Sequence, residues 1–124
     1  MIFGIGVDIC QVSRFSNKIN DTKFISRFFN EKEILTSYQS NKYACEYYAS
    51  RFAAKEAFSK ALGTGIRNFE LKDVYVEKND LGKPELIVEN TAEVQLQKLV
   101  NNPKIHLSIS HEKEYAQAFV VIEE

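Results

Sequence analysis

Residues 44–62, ACEYYASRFAAKEAFSKAL, contain neither glycine nor proline, and six of the nineteen are alanine. Such a stretch predicts a helix, because alanine and the long unbranched side chains give up little conformational freedom in that form. At 1.5 Å per residue it is a rod of about 28 Å. In a chain of 124 residues the other elements must pack around it. At 100° per residue Tyr47, Ala54, Ala57, Phe58, Ala61 and Leu62 share one side, and Lys55, Glu56, Ser59 and Lys60 the other. Gly63-Thr64-Gly65 follows, with Gly63 where a left-handed cap is expected.

The other segments alternate. In Ile2–Ile9, a predicted strand, Phe3, Ile5, Val7 and Ile9 fall on one face and Gly4, Gly6 and Asp8 on the other. Two glycines on one face point to a close approach, a bulge or tight packing. Residues 14–36 read as helix in two pieces with a cap at Asp21-Thr22. Val74–Val76 and Leu86–Val88 flank Asn79–Pro84 as a hairpin. Asn90–Glu93 opens a further helix with capping-box character, running to about Val100. Lys104–Ser110 sets Ile105, Leu107 and Ile109 against His106, Ser108 and Ser110, and Tyr115–Ile122 pairs with it across Glu112–Glu114. The expectation is one α+β domain over 1–124, an antiparallel sheet with the long helix packed on it. Strands near both ends would bring Asp8 towards residues 108–111.

A chain this short can bury a core but not also a deep cleft, so a large ligand would be bound between subunits. Residues 1–67 hold ten Lys/Arg against six Asp/Glu, net +4, and residues 68–124 six against eleven, net −5. The first half is therefore the better candidate surface for an anionic ligand or an acidic partner, with ordinary solvated charge as the other reading. No basic run points to nucleic acid. No segment reads as a signal peptide or a membrane span. Cys10 and Cys45 lack a CxxC or a neighbouring histidine and are read as free thiols, consistent with a cytoplasmic protein.

Three groups could carry chemistry. Glu56 and Lys60 are helical neighbours, and spacing alone describes a surface salt bridge worth about 0.3–0.5 kcal/mol. Asp8, with Glu56, would suit magnesium, which takes one or two carboxylates and completes its shell with phosphate and water. Ser108, Ser110 and His111 could hold a phosphate, or form an ordinary solvated edge strand. No Walker-type loop, GxGxxG or nucleophile elbow is present.

Taken in order, Gly4-Ile5-Gly6-Val7-Asp8-Ile9, Arg51-Phe52-Ala53-Ala54-Lys55-Glu56-Ala57, Gly82-Lys83-Pro84 and Leu107-Ser108-Ile109-Ser110-His111 resemble the phosphopantetheinyl transferases. The length and the stretch RFAAKEAFSKALGTGI are similar to the short bacterial type, and the resemblance covers essentially the whole chain. It implies that Asp8 and Glu56 hold a magnesium ion, that Lys60 neutralises phosphate charge, and that His111 contacts coenzyme A. Arg51, Lys55, Ser59, Gly63, Thr64, Gly65, Pro84, Ser108 and Ser110 would line the coenzyme A pocket. The implied reaction is attack by a carrier-protein serine on the β-phosphorus of coenzyme A, with adenosine 3′,5′-bisphosphate leaving. Glu56 or a magnesium-bound water would take the serine proton. An acidic acyl carrier protein would dock on Arg14, Phe15, Lys23, Phe24, Arg27 and Phe28. The short type implies a homotrimer with active sites between subunits. Glu112, after His111, and Lys18, on the docking segment, depart from the family pattern. A non-catalytic coenzyme A or carrier-protein binding module on the same fold is the alternative.

Overall fold

Gly4 and Gly6 explain how the molecule is assembled. In the computed structural model, which spans residues 1–124, a Cβ on Gly4 would stand 2.0 Å from the Ala61 carbonyl oxygen, and one on Gly6 2.0 Å from that of Ala57. No side chain fits there. The approach anticipated at these glycines is that of the long helix itself, so tight packing is the reading that holds. The first strand, β1 (Ile2–Gln11), lies directly on the helix, with one register irregularity between Ile2 and Gly4.

The elements run as follows: β1, a 3₁₀ turn at Val12–Phe15, α1 (Thr22–Phe28), a 3₁₀ turn at Glu31–Glu33, α2 (Asn41–Leu62), a 3₁₀ turn at Leu71–Asp73, β2 (Val74–Lys78), β3 (Pro84–Val88), α3 (Asn90–Leu99), β4 (Lys104–His111) and β5 (Tyr115–Glu123). Helix α2 begins three residues before the predicted start. Ser40 caps it, its Oγ accepting from the Tyr43 N–H at 3.0 Å. Gly63, at φ +89°, closes it.

The 14–36 region is less helical than its pattern suggests, with only Thr22–Phe28 in α-helix. The Asp21 cap is present, accepting from Phe24 N–H at 3.1 Å. At α3 the predicted capping box is absent. Asp73 Oδ2 instead accepts from the Thr91 N–H at 3.1 Å. The capping box lies at Asn30 and Glu33.

Strands β1, β5 and β4 form an antiparallel sheet in that order, and β2–β3 a separate hairpin. Asp8 is level with Ala118, and Ala118 with Ile109. A whole strand therefore separates Asp8 from β4, roughly 10 Å at standard spacing, so the expected direct approach to residues 108–111 is not made.

One face of this sheet, carrying Gly6, Cys10, Ala116, Ala118, Val120 and Ile122, is buried under α2. Small residues on both sides, including Ala53, Ala54, Ala57 and Ala61, let backbone approach backbone. Around them Tyr48, Phe29 and Phe58 are fully buried, each contributing about 2–3 kcal/mol by leaving water. The opposite face leaves Ile5, Val7, Ile9, Tyr115 and Phe119 exposed.

Candidate active site

Two clusters of functional side chains lie on different flanks of α2. The first straddles the β1–α2 seam. Lys60 Nζ donates to Asp8 Oδ1 at 3.1 Å and to the Val7 carbonyl at 3.0 Å. Glu56, one helical turn earlier, is half-buried. Burial, and secondarily the charge of Asp8, raise its pKa above the ordinary carboxylate value, while Lys60 and Arg14 pull it down. Two carboxylates that feel each other and share cations match a hard divalent ion completed by phosphate oxygens. No group of three or more His, Cys, Asp or Glu gathers anywhere in the chain. A hard cation held by Asp8 and Glu56 would need the rest of its ligands from phosphate and water. Gly63–Gly65 close the helix just beyond Lys60, Thr64 Oγ1 donating to the Gly65 carbonyl at 2.9 Å.

The second cluster is a cavity of about 550 Å³ between the N-terminal half of α2, the β2–β3 hairpin and the end of β4. Arg51, Pro84 and His111, all implicated by the sequence, line it, together with Tyr43, Tyr47 and Tyr75. The Arg51 guanidinium lies 3.9 Å from the Tyr47 ring centroid, and its Nε is buried with no hydrogen-bond partner. His111 Nδ1 is 3.2 Å from Glu46 Oε2. Burial raises the Tyr47 phenol pKa, with Arg51 opposing. Aromatic rings, a guanidinium and an imidazole around a hollow of this size fit a base and its phosphates. Asp8, Glu56 and Lys60 take no part in its lining.

Several assignments drawn from the resemblance need correction. Lys55 does not line a pocket: it is fully buried, its ammonium donating to Glu33, to the Val74 carbonyl and to the Leu71 carbonyl at 3.3 Å. Desolvation lowers its pKa, against the pull of Glu33. Ser59 is buried too, its hydroxyl turned back to the Glu56 carbonyl at 2.6 Å. The polar side drawn on the helical wheel is therefore partly core. Ser108 and Ser110 stand on the open face of the sheet, level with Phe119 and Gln117, while His111 belongs to the helix side. The three cannot hold one phosphate within one chain.

Phe15 is also core, packed edge-on against Phe24, Phe29 and Phe52 at about 6 Å between centroids. It offers nothing to a partner. Arg14, Lys23 and Arg27 are exposed, and Phe24 and Phe28 are half-buried among them. Arg27 lies over Phe28 at 5.1 Å and Lys18 over Phe24 at 5.0 Å.

Sequence reasoning passed over Glu46, Tyr43 and Glu33. The Tyr43–Tyr47–Arg51 stripe at i, i+4, i+8 was a findable signal. Glu33, far along the chain from Lys55, left none. Both cysteines are free and buried. No helix is long and apolar enough to cross a membrane.

The sheet backed by α2 thus carries a carboxylate pair with a lysine at the β1 seam and, apart from them, a cavity of nucleotide size. The chain belongs to the 4′-phosphopantetheinyl transferase superfamily, whose family model matches residues 4–120. It is 48% identical to the holo-[acyl-carrier-protein] synthase of Clostridium perfringens, over 99% of this chain and 95% of that protein. Among solved structures it is similar to the Bacillus anthracis holo-(acyl-carrier-protein) synthase in complex with CoA (3′,5′-ADP), at 39% identity, TM-score 0.77, and 98% and 96% coverage. The Neisseria meningitidis holo-[acyl-carrier-protein] synthase superposes over 100% of both chains, with a TM-score of 0.84 at 36% identity.

Proposed function

We propose that this protein transfers the 4′-phosphopantetheine group of coenzyme A to a serine of an apo acyl carrier protein, releasing adenosine 3′,5′-bisphosphate. The observation that carries the reading is the convergence of Asp8 with Glu56 and Lys60, about fifty residues apart in sequence, at one seam. Family membership and the CoA complex of the Bacillus anthracis relative support it.

Phosphoryl transfer asks a protein for positioning and charge compensation rather than covalent chemistry. Asp8 and Glu56 would hold magnesium, which when bound neutralises charge on the bridging phosphates. Lys60, exposed and already beside Asp8, can turn to a phosphate oxygen and offset the charge that grows on the leaving bisphosphate. Arg51 and His111 in the cavity would grip the nucleotide phosphates, with the tyrosines facing the base. Glu56, with the raised pKa, is the chain's own candidate to take the serine proton.

The cavity and the carboxylate pair lie on different flanks of α2, and Ser108 and Ser110 point away from both. A site completed by a neighbouring copy reconciles these placements. The open sheet face, with five exposed large apolar residues, is the surface on which copies would meet, as a homotrimer. The cationic and aromatic surface of Arg14, Lys23, Arg27, Phe24 and Phe28 would receive the acidic carrier.

The test is intact-mass spectrometry of an apo carrier incubated with the protein, coenzyme A and magnesium, beside a Glu56→Ala control. A phosphopantetheine increment that needs both the metal and Glu56 is expected. No increment from the folded protein with several apo carriers would favour a binding module instead.

A further inference from the structure

Lys55 and Glu33 are both fully buried, and neither reaches a surface where a ligand could sit. Their bonds are directed at backbone. The ammonium meets Glu33 Oε1, the Val74 carbonyl and, at 3.3 Å, the Leu71 carbonyl. Glu33 Oε1 also accepts from the Asn30 N–H at 3.1 Å, and Oε2 from the Val76 N–H at 3.3 Å. Helix α2, the turn at Glu31–Glu33, the turn at Leu71–Asp73 and strand β2 therefore meet at one ion pair.

The chain neighbours of these contacts are cavity residues. Lys32 precedes Glu33, Tyr75 lies between Val74 and Val76, and Arg51 is one helical turn before Lys55; all three line the cavity. A buried ion pair is a poor source of stability, because desolvation offsets its attraction and well-packed apolar side chains commonly serve as well. Fixed geometry is what it offers and they do not: an ammonium with three oxygen acceptors tolerates little sliding of the segments that supply them.

We propose that the Lys55–Glu33 pair is a positioning device for the cavity, holding Arg51 on α2 at a set distance from Tyr75 and Lys32 across the space that binds coenzyme A. This rests on the cavity being the coenzyme site, as argued above. Neither residue touches the ligand.

The test is the double variant Lys55→Met/Glu33→Met, which replaces both charges with apolar side chains of similar length, beside Glu33→Gln, which keeps the size but turns one acceptor oxygen into an amide donor, so that either the Lys55 ammonium or the Val76 N–H loses its partner. Coenzyme A affinity is measured by calorimetry without carrier, and KM and kcat by the transfer assay. The expected result is a rise of about tenfold in Kd and in KM for coenzyme A, with kcat changed by no more than about threefold. That split follows because Asp8, Glu56 and Lys60 occupy the other flank of α2. A merely structural pair would lower the folded fraction, reducing kcat with KM unchanged. Wild-type Kd and KM in the folded double variant overturn the proposal. If circular dichroism shows that variant unfolded, wild-type values in Glu33→Gln overturn it equally. A wild-type protein that binds coenzyme A without transferring would sink the transfer reading, while the Kd comparison still decides this one.

Discussion

The two faces of the β1–β5–β4 sheet are built by the same strands and differ in what their side chains permit. The inner face carries Gly4, Gly6, Ala116 and Ala118, and α2 lies against it so closely that a Cβ at either glycine would strike helix backbone. The outer face carries Ile5, Val7, Ile9 and Phe119, which are larger and more apolar, and leaves them exposed. In β1 hydrophobicity alone would have turned the strand the other way, whereas in β4 and β5 Ile105, Leu107, Ile109, Val120 and Ile122 lie on the helix side. Close packing of a helix on a strand selects for small residues, and the larger apolar side chains of β1 stay exposed on the other face.

The contrast can be broken most severely from inside. Gly6→Val places methyl groups where the Ala57 carbonyl stands and should destabilise the chain by about 3 kcal/mol or more, since backbone, not a flexible side chain, must move. Urea unfolding measures it, and a loss below about 1 kcal/mol would mean that the seam is looser than described. On the outer face Phe119→Glu should leave each chain folded by circular dichroism but shift the assembly to monomer in sedimentation, with transfer activity lost. Unchanged mass and activity would show that this face is not where copies meet.

The smallest effect sharpens the polar end of the inner face. The pKa of Glu56 is raised in the folded chain, so its favourable contribution is present at acidic pH and is lost as pH rises through that raised value. Ionised Glu56 is therefore a cost near neutrality. Without metal, Glu56→Gln should be the more stable protein at pH 7.5, by a small margin because solvent screens a half-exposed group. The advantage should vanish at acidic pH. Thermal unfolding at both pH values reads the sign, and a variant less stable than wild type at pH 7.5 would contradict the burial argument. Magnesium should raise the unfolding temperature of the wild type and not of the variant.

Much of this was legible in the chain itself. The long helix, the hairpin and the terminal strand pair follow from local pattern, as does the Gly63 cap. The segments Gly4–Ile9, Arg51–Ala57, Gly82–Pro84 and Leu107–His111, in that order, point to the superfamily to which the chain belongs. What misled was also local. Lys55 and Ser59 look like surface residues beside Glu56 and Lys60, and Phe15 looks like a docking contact beside Phe24 and Phe28. Phe15 instead enters the core, and Lys55 is drawn in by Glu33.

The sequence by itself determined the long helix, the strands with their two faces and the residue types able to bind a metal and a phosphate, because periodicity, capping and side-chain chemistry act over a few residues. Only the tertiary structure decided which sheet face is buried, that Lys55 is core, and that the carboxylate pair takes no part in lining the cavity. Those outcomes depend on contacts between segments far apart in the chain, where a 2.0 Å steric conflict or one oppositely charged partner outweighs any local preference.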